Sequence, residues 1–160
     1  MRKLFFVLFV LGVTAFTANA QEKAIGLRLG SDIEASFQFP VAKNRIELDA
    51  GINFWAYGYN GTFRANVNLN LAGAYHWVFN IGNIEGFKWF VGPGLTVGSW
   101  GNFNYLAAGV LAQGGVEYNF KFPLQIAADY RPTFLLTFGH NEVGYEPYWY
   151  NFALSARYRF

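Results

Sequence analysis

The sequence predicts an all-β chain: an eight-stranded antiparallel up-and-down transmembrane β-barrel preceded by a cleaved signal peptide. Three observations carry that reading. Aromatic residues make up 21% of the chain and charged residues only 14%, whereas a water-facing surface is typically about 25–35% charged. From Ala24 onward apolar residues recur at alternate positions, between breaks rich in Gly, Asn, Asp and Pro; strands have that period and turns use those residues. After Ala20 no stretch reads as a spanning helix, so a membrane-embedded structure has to be built from strands that close on themselves.

The first element is the export signal. Met1-Arg2-Lys3 is a short positive segment, Leu4 to Val13 an apolar run, and Ala18-Asn19-Ala20 a small-residue A-x-A site. That order predicts a signal peptide over 1–20 and a barrel domain over 21–160. The apolar run falls short of the roughly 20 residues of a spanning helix. The chain has no cysteine, which excludes a lipobox anchor, a disulfide and a thiolate metal site. Loss of Arg2 and Lys3 leaves ten Lys and Arg against ten Asp and Glu. No basic excess remains to attract nucleic acid.

Eight strands follow, at about 24–30, 33–40, 45–55, 62–79, 87–100, 105–120, 124–138 and 148–160, with boundaries good to roughly two to four residues. Alternate residues of the first three run Ile25-Leu27-Leu29, Ile33-Ala35-Phe37-Phe39 and Ile46-Leu48-Ala50-Ile52-Phe54. The fourth runs from Phe63 through Leu69 and Leu71 to Phe79, the fifth from Phe87 through Leu95 to Ser99. The last three run Leu106 to Phe120, Leu124 to Phe138 and Tyr148 to Phe160. No charge falls on this face, and Ser99 is its one plainly polar residue.

The opposite face collects Arg28, Glu34, Arg45, Glu47, Asp49, Arg64, Lys88, Glu117, Asp129, Arg131, Arg157 and Arg159. Apolar outside and polar inside is the alternation of a transmembrane barrel. A soluble barrel of lipocalin type would show the same period with its faces exchanged. Aromatics favour the membrane form, because they gather near the strand ends of the apolar face, at Phe39, Tyr75, Trp77, Phe87, Trp89, Tyr118, Phe120, Tyr148, Tyr150 and Tyr158. Interfacial girdles call for that placement. Small residues and Asn on the polar face, among them Gly26, Asn66, Asn68, Asn70, Gly92, Gly94 and Gly98, suit a narrow lumen better than a solvated exterior.

An even strand count puts both mature termini on one side, the periplasm in barrels of this kind. The breaks 31–32, 57–61, 101–104 and 139–147 are then extracellular, and 57–61 and 139–147 are the loops expected to meet any external ligand. His140, Glu142 and Glu146 in the last loop carry metal-donor atoms, but solvated loops often do, and no metal or cofactor set is predicted. Pro93 and Pro132 fall inside strands, where each removes a ladder hydrogen bond and predicts a bulge or kink.

The signal peptide, the eight alternating strands and the closing Tyr158-Arg159-Phe160 together resemble the small outer-membrane barrels of the OmpA/OmpX type, over residues 21–160. The resemblance implies a Gram-negative outer membrane, contact with its lipid and lipopolysaccharide, and delivery to the barrel-assembly machinery through Tyr158 and Phe160. The peptidoglycan-binding domain of full-length OmpA-like proteins has no counterpart after Phe160, so cell-wall anchoring is not carried over.

Three functions fit such a barrel. Eight strands enclose a lumen that side chains can just fill, and unpaired charges there are costly. The inward charges are therefore expected to form a paired plug, leaving a structural or surface-interaction role in the cell envelope. A narrow porin-like channel would need water along Asn66, Asn68 and Asn70, although open channels belong to barrels of about 16 strands. A lipid A-modifying hydrolase or acyltransferase, as some eight-stranded outer-membrane barrels are, would need a nucleophile oriented by a base. His76 and His140 are the only histidines and no serine stands near either in sequence, so no catalytic residue is predicted.

Overall fold

The computed structural model describes residues 23–59, 62–100, 102–139 and 142–160, and for 54–59, 62–66 and 142 the backbone alone. The predicted signal peptide lies outside the described residues. Ten strands are formed: β1 (Ala24–Gly30), β2 (Asp32–Val41), β3 (Asn44–Tyr59), β4 (Thr62–Asn80), β5 (Phe87–Trp100), β6 (Tyr105–Asn119), β7 (Leu124–Tyr130), β8 (Thr133–Gly139), β9 (Glu142–Tyr148) and β10 (Phe152–Arg159). They make eight staves, because β7 runs on into β8 and β9 into β10, each across a short break. Every neighbour is antiparallel, β1 pairs with both β2 and β10, and β5 with both β4 and β6. The sheet is therefore a closed up-and-down barrel with no helix among the described residues.

Side chains divide as the period of two demands. Leu27, Leu71, Leu95 and Leu154 are 52, 57, 67 and 64% exposed, while Arg28, Glu34 and Glu47 are wholly buried. The apolar part of the interior is small, chiefly alanines with Phe90 and Leu111. Burial of apolar surface, the usual driving force of folding, therefore contributes little inside this wall. Ladder hydrogen bonds and polar contacts hold the interior instead.

The staves differ in height. Pairing of β2 with β3 stops at Asp32 and Asn53, so the backbone of 54–59 pairs with β4 alone. At the other end Lys23 and Phe160 exchange backbone hydrogen bonds, which brings the two ends of the barrel domain together. Turns there are short. Ala42-Lys43, with Ala42 at φ 55°, joins Val41 to its partner Asn44.

Several predicted boundaries shift. The third strand runs on to Tyr59, so the expected loop 57–61 is mostly strand, with 60–61 outside the described residues. The expected loop 139–147 is likewise a hairpin: Gly139 pairs with Glu142 and Thr133 with Tyr148. Among the described residues both breaks are strand.

The two prolines act differently. At Pro93 the ladder to β4 lapses between the pairs Ala74–Gly94 and Trp77–Val91 without a change of register. The missing N–H breaks pairing there and no bulge forms. At Pro132 the stave parts into β7 and β8, and the neighbouring stave carries a bulge. From Tyr130 to Thr133 is three residues, but from their partners Phe152 back to Tyr148 is four. One extra residue within 149–151 switches faces: Phe152, Leu154 and Tyr158 point outward on β10, and Val143 and Tyr145 on β9.

Candidate functional site

The inward side chains of β1, β2, β3, β4, β6, β7 and β10, with Arg131 and Asn151 of the two breaks, build two polar tiers across the lumen. The upper tier centres on Glu34 of β2. Arg28 of β1 donates to it through Nη1 at 2.9 Å, and Arg131 through Nη2 at 2.5 and 2.6 Å. Asn70 of β4 adds a third donor at 2.9 Å. Arg28 also grips Asp129 through Nε and Nη2, at 3.0 and 2.6 Å, and Asn151 at 3.1 Å. Arg131 reaches Asp49 through Nη1 at 2.7 Å and stands 3.7 Å from Asp32. Asp32 in turn accepts from Asn53.

The lower tier centres on Glu47 of β3. Its Oε1 accepts from Arg157 at 3.0 Å and from Gln113 at 3.1 Å, and its Oε2 from Gln38 at 2.5 Å. Arg157 of β10 also donates to Ser36 at 2.9 Å and Gln125 at 3.3 Å. Beside Glu47 lies His76 of β4, whose Nδ1 is 3.9 Å from Oε2 and accepts from Arg45 Nε at 3.4 Å. Arg45 donates to Glu117 and lies over the Phe90 ring, 4.5 Å from its centroid, a cation–π contact.

Charge is stratified along the axis. The upper tier sets four carboxylates (Asp32, Glu34, Asp49, Asp129) against two guanidiniums. The lower tier matches Glu47 and Glu117 with Arg157 and Arg45. Buried pairs are net favourable only when their remaining atoms are hydrogen-bonded, which accounts for the amides interleaved with the charges. A cavity of about 40 Å³ above the upper tier, bordered by Asn53, Asn68, Asn70 and Tyr148, has room for a few water molecules. A second, of about 240 Å³, opens below the lower tier.

The structure thus joins Arg28, Glu34, Asp49, Asp129 and Arg131 in one tier and Arg45, Glu47, Glu117 and Arg157 in the other. Lys88 and Arg159 stand apart at the lower mouth, and the side chain of Arg64 lies outside the described residues. Sequence reasoning missed Asp32, assigned to a turn, and the neutral members Ser36, Gln38, Gln113, Gln125 and Asn151. Strand parity marks Ser36, Gln38, Gln113 and Gln125 as inward; Asn151 sits in the bulge, where parity fails.

Aromatics cluster at the end bearing the termini. Phe79 stacks on Trp89 at 4.5 Å, Tyr75 meets Trp77 edge-on at 5.7 Å, and Tyr118 packs against both Phe87 and Phe120. Tyr158 stacks on Phe160 at 6.4 Å, and Phe39 lies 6.0 Å from Phe37. Tyr150 is exposed at the far end, where, among the described residues, Tyr130 stacks on Phe152 and Phe134 on Tyr145. Tyr148 departs from the predicted girdle: the bulge turns it inward, and its hydroxyl accepts from Asn53 at 3.5 Å.

Among the described residues no cluster of three or more His, Cys, Asp or Glu could hold a metal ion; His140 lies outside them. Comparison with known proteins returns no match, whether to a family model, a curated protein or a solved structure.

Proposed function

We propose that this chain is an outer-membrane β-barrel whose polar tiers plug the lumen, with a structural or surface-interaction role in the cell envelope. The supporting observation is the inversion of polarity. The outer wall exposes leucines, valines and aromatics, while arginines and glutamates are sealed inside. Such a wall is stable against hydrocarbon and unfavourable against water. On this reading residues 1–20 are the export signal, and the resemblance to OmpA/OmpX-type barrels supplies the outer membrane as address, with the termini periplasmic. Lipid and lipopolysaccharide then surround the wall, and Tyr158 and Phe160 present the closing strand to the assembly machinery. The tight hairpins around 57–61 and 139–147 become the surface available to an external partner.

Single-channel recording tests the plug. Protein reconstituted in a planar bilayer, its folding checked by the gel-mobility shift between unboiled and boiled samples, is expected to be electrically silent. Reproducible conductance steps would show connected water through both tiers and replace the plug with a channel.

A further inference from the structure

The cavity of about 240 Å³ at the end carrying both termini is strongly cationic. Lys43, Arg45, Lys88 and Arg159 line it against one carboxylate, Glu117. That carboxylate is already engaged, by Arg45 and by Asn119 Nδ2 at 3.2 Å. Lys88 is registered directly across from Glu117, yet neither Lys88 nor Lys43 forms an ion pair among the described residues. Arg159 donates through Nη2 to the Phe120 and Phe122 carbonyls, which hold its guanidinium at the mouth. Arg45 is only 8% exposed and its Nη2 has no hydrogen-bond partner. A buried cationic donor in that condition favours an incoming anionic acceptor.

We propose that this mouth binds a phosphate group. The four cations arrive from separate parts of the wall: the β2–β3 turn, β3, β5 and β10. Donors converging from several sides suit a tetrahedral oxyanion better than a planar carboxylate. Two sources share that chemistry, free inorganic phosphate and the phosphodiester of a lipid headgroup. The second rests on the membrane reading, since the aromatic rings at this end would set the cavity at headgroup level; the first does not.

Isothermal titration calorimetry in dodecyl maltoside at low ionic strength tests the site, with inorganic phosphate and glycerophosphoglycerol as separate probes. The wild-type protein is compared with Lys43→Gln/Lys88→Gln, which leaves both lumen tiers intact and whose folding the gel-mobility shift verifies. Saturable binding that weakens about tenfold or more in the variant, and weakens with added salt, is the expected result. A diester bound as tightly as phosphate assigns the site to a headgroup, and phosphate alone assigns it to the free ion. No saturable heat with either probe, or equal affinity in the variant, overturns the proposal. Because the readout is independent of conductance, a silent barrel without phosphate affinity would remove this site and leave the plug standing.

Discussion

Glu34 takes three donors, two of them guanidiniums on opposite sides of the barrel seam. Removing it leaves Arg28 and Arg131 charged, buried and short of acceptors. Glu34→Ala is expected to destabilise the protein by about 3–5 kcal/mol, the usual cost of stranding a buried charge. Urea unfolding in lipid vesicles, followed by tryptophan fluorescence, measures it. Glu34→Gln, which keeps the side chain's size and an acceptor oxygen, should cost less. An unchanged midpoint for Glu34→Ala would mean that water reaches the upper tier and replaces the carboxylate. The charged members of that tier, apart from Asp32, were legible in sequence because inward parity selects them. Which partner each one takes was not, since the contacts join residues such as Arg28 and Asp129, 101 positions apart.

At the level of the strand, alternation located all eight staves, and it failed where the backbone changes phase. The stretch Val143-Gly144-Tyr145-Glu146-Pro147 reads as a loop because Gly, Glu and Pro are poor strand formers, yet the hairpin with β8 carries it as a strand. The bulge at 149–151 leaves no mark in composition, so Tyr148 was assigned to the wrong face. A different constraint acts at Gly92. A Cβ there would sit 1.7 Å from the Tyr75 carbonyl oxygen, a backbone atom that cannot swing aside. Gly92 lies opposite the lapse that Pro93 makes in the β4–β5 ladder. Gly92→Ala is expected to lower the unfolding midpoint markedly. Gly114→Ala, whose added methyl meets nothing closer than 3.6 Å, should leave it within about 0.5 kcal/mol, the span of an uneventful substitution. Equal midpoints for the two variants would show that β4 and β5 can separate to admit a side chain.

For the molecule as a whole, what matters is which medium each face meets. Leu71 is exposed on the outer wall between Ala50 and Val97. In a bilayer Leu71→Arg is expected to cost about 2–4 kcal/mol near the midplane. In detergent the loss should shrink, because the guanidinium can reach water at the micelle boundary. Folding free energies in vesicles and in micelles make the comparison. A harmless Leu71→Arg in vesicles would mean that the wall does not face hydrocarbon at that level.

Polar contacts between the first three staves and the last two also bear on time. Arg28 with Asp129, Ser36 and Glu47 with Arg157, and Glu34 and Asp49 with Arg131 all bridge the two ends of the chain. None can form until the barrel closes and brings its first and its last two staves together, so they strengthen the finished barrel without hastening its assembly. Interactions absent from the transition state slow unfolding and leave the folding rate almost unchanged. The closed ring therefore behaves as a latch fastened from within, slow to open once shut, and its persistence is a matter of lifetime as much as of equilibrium.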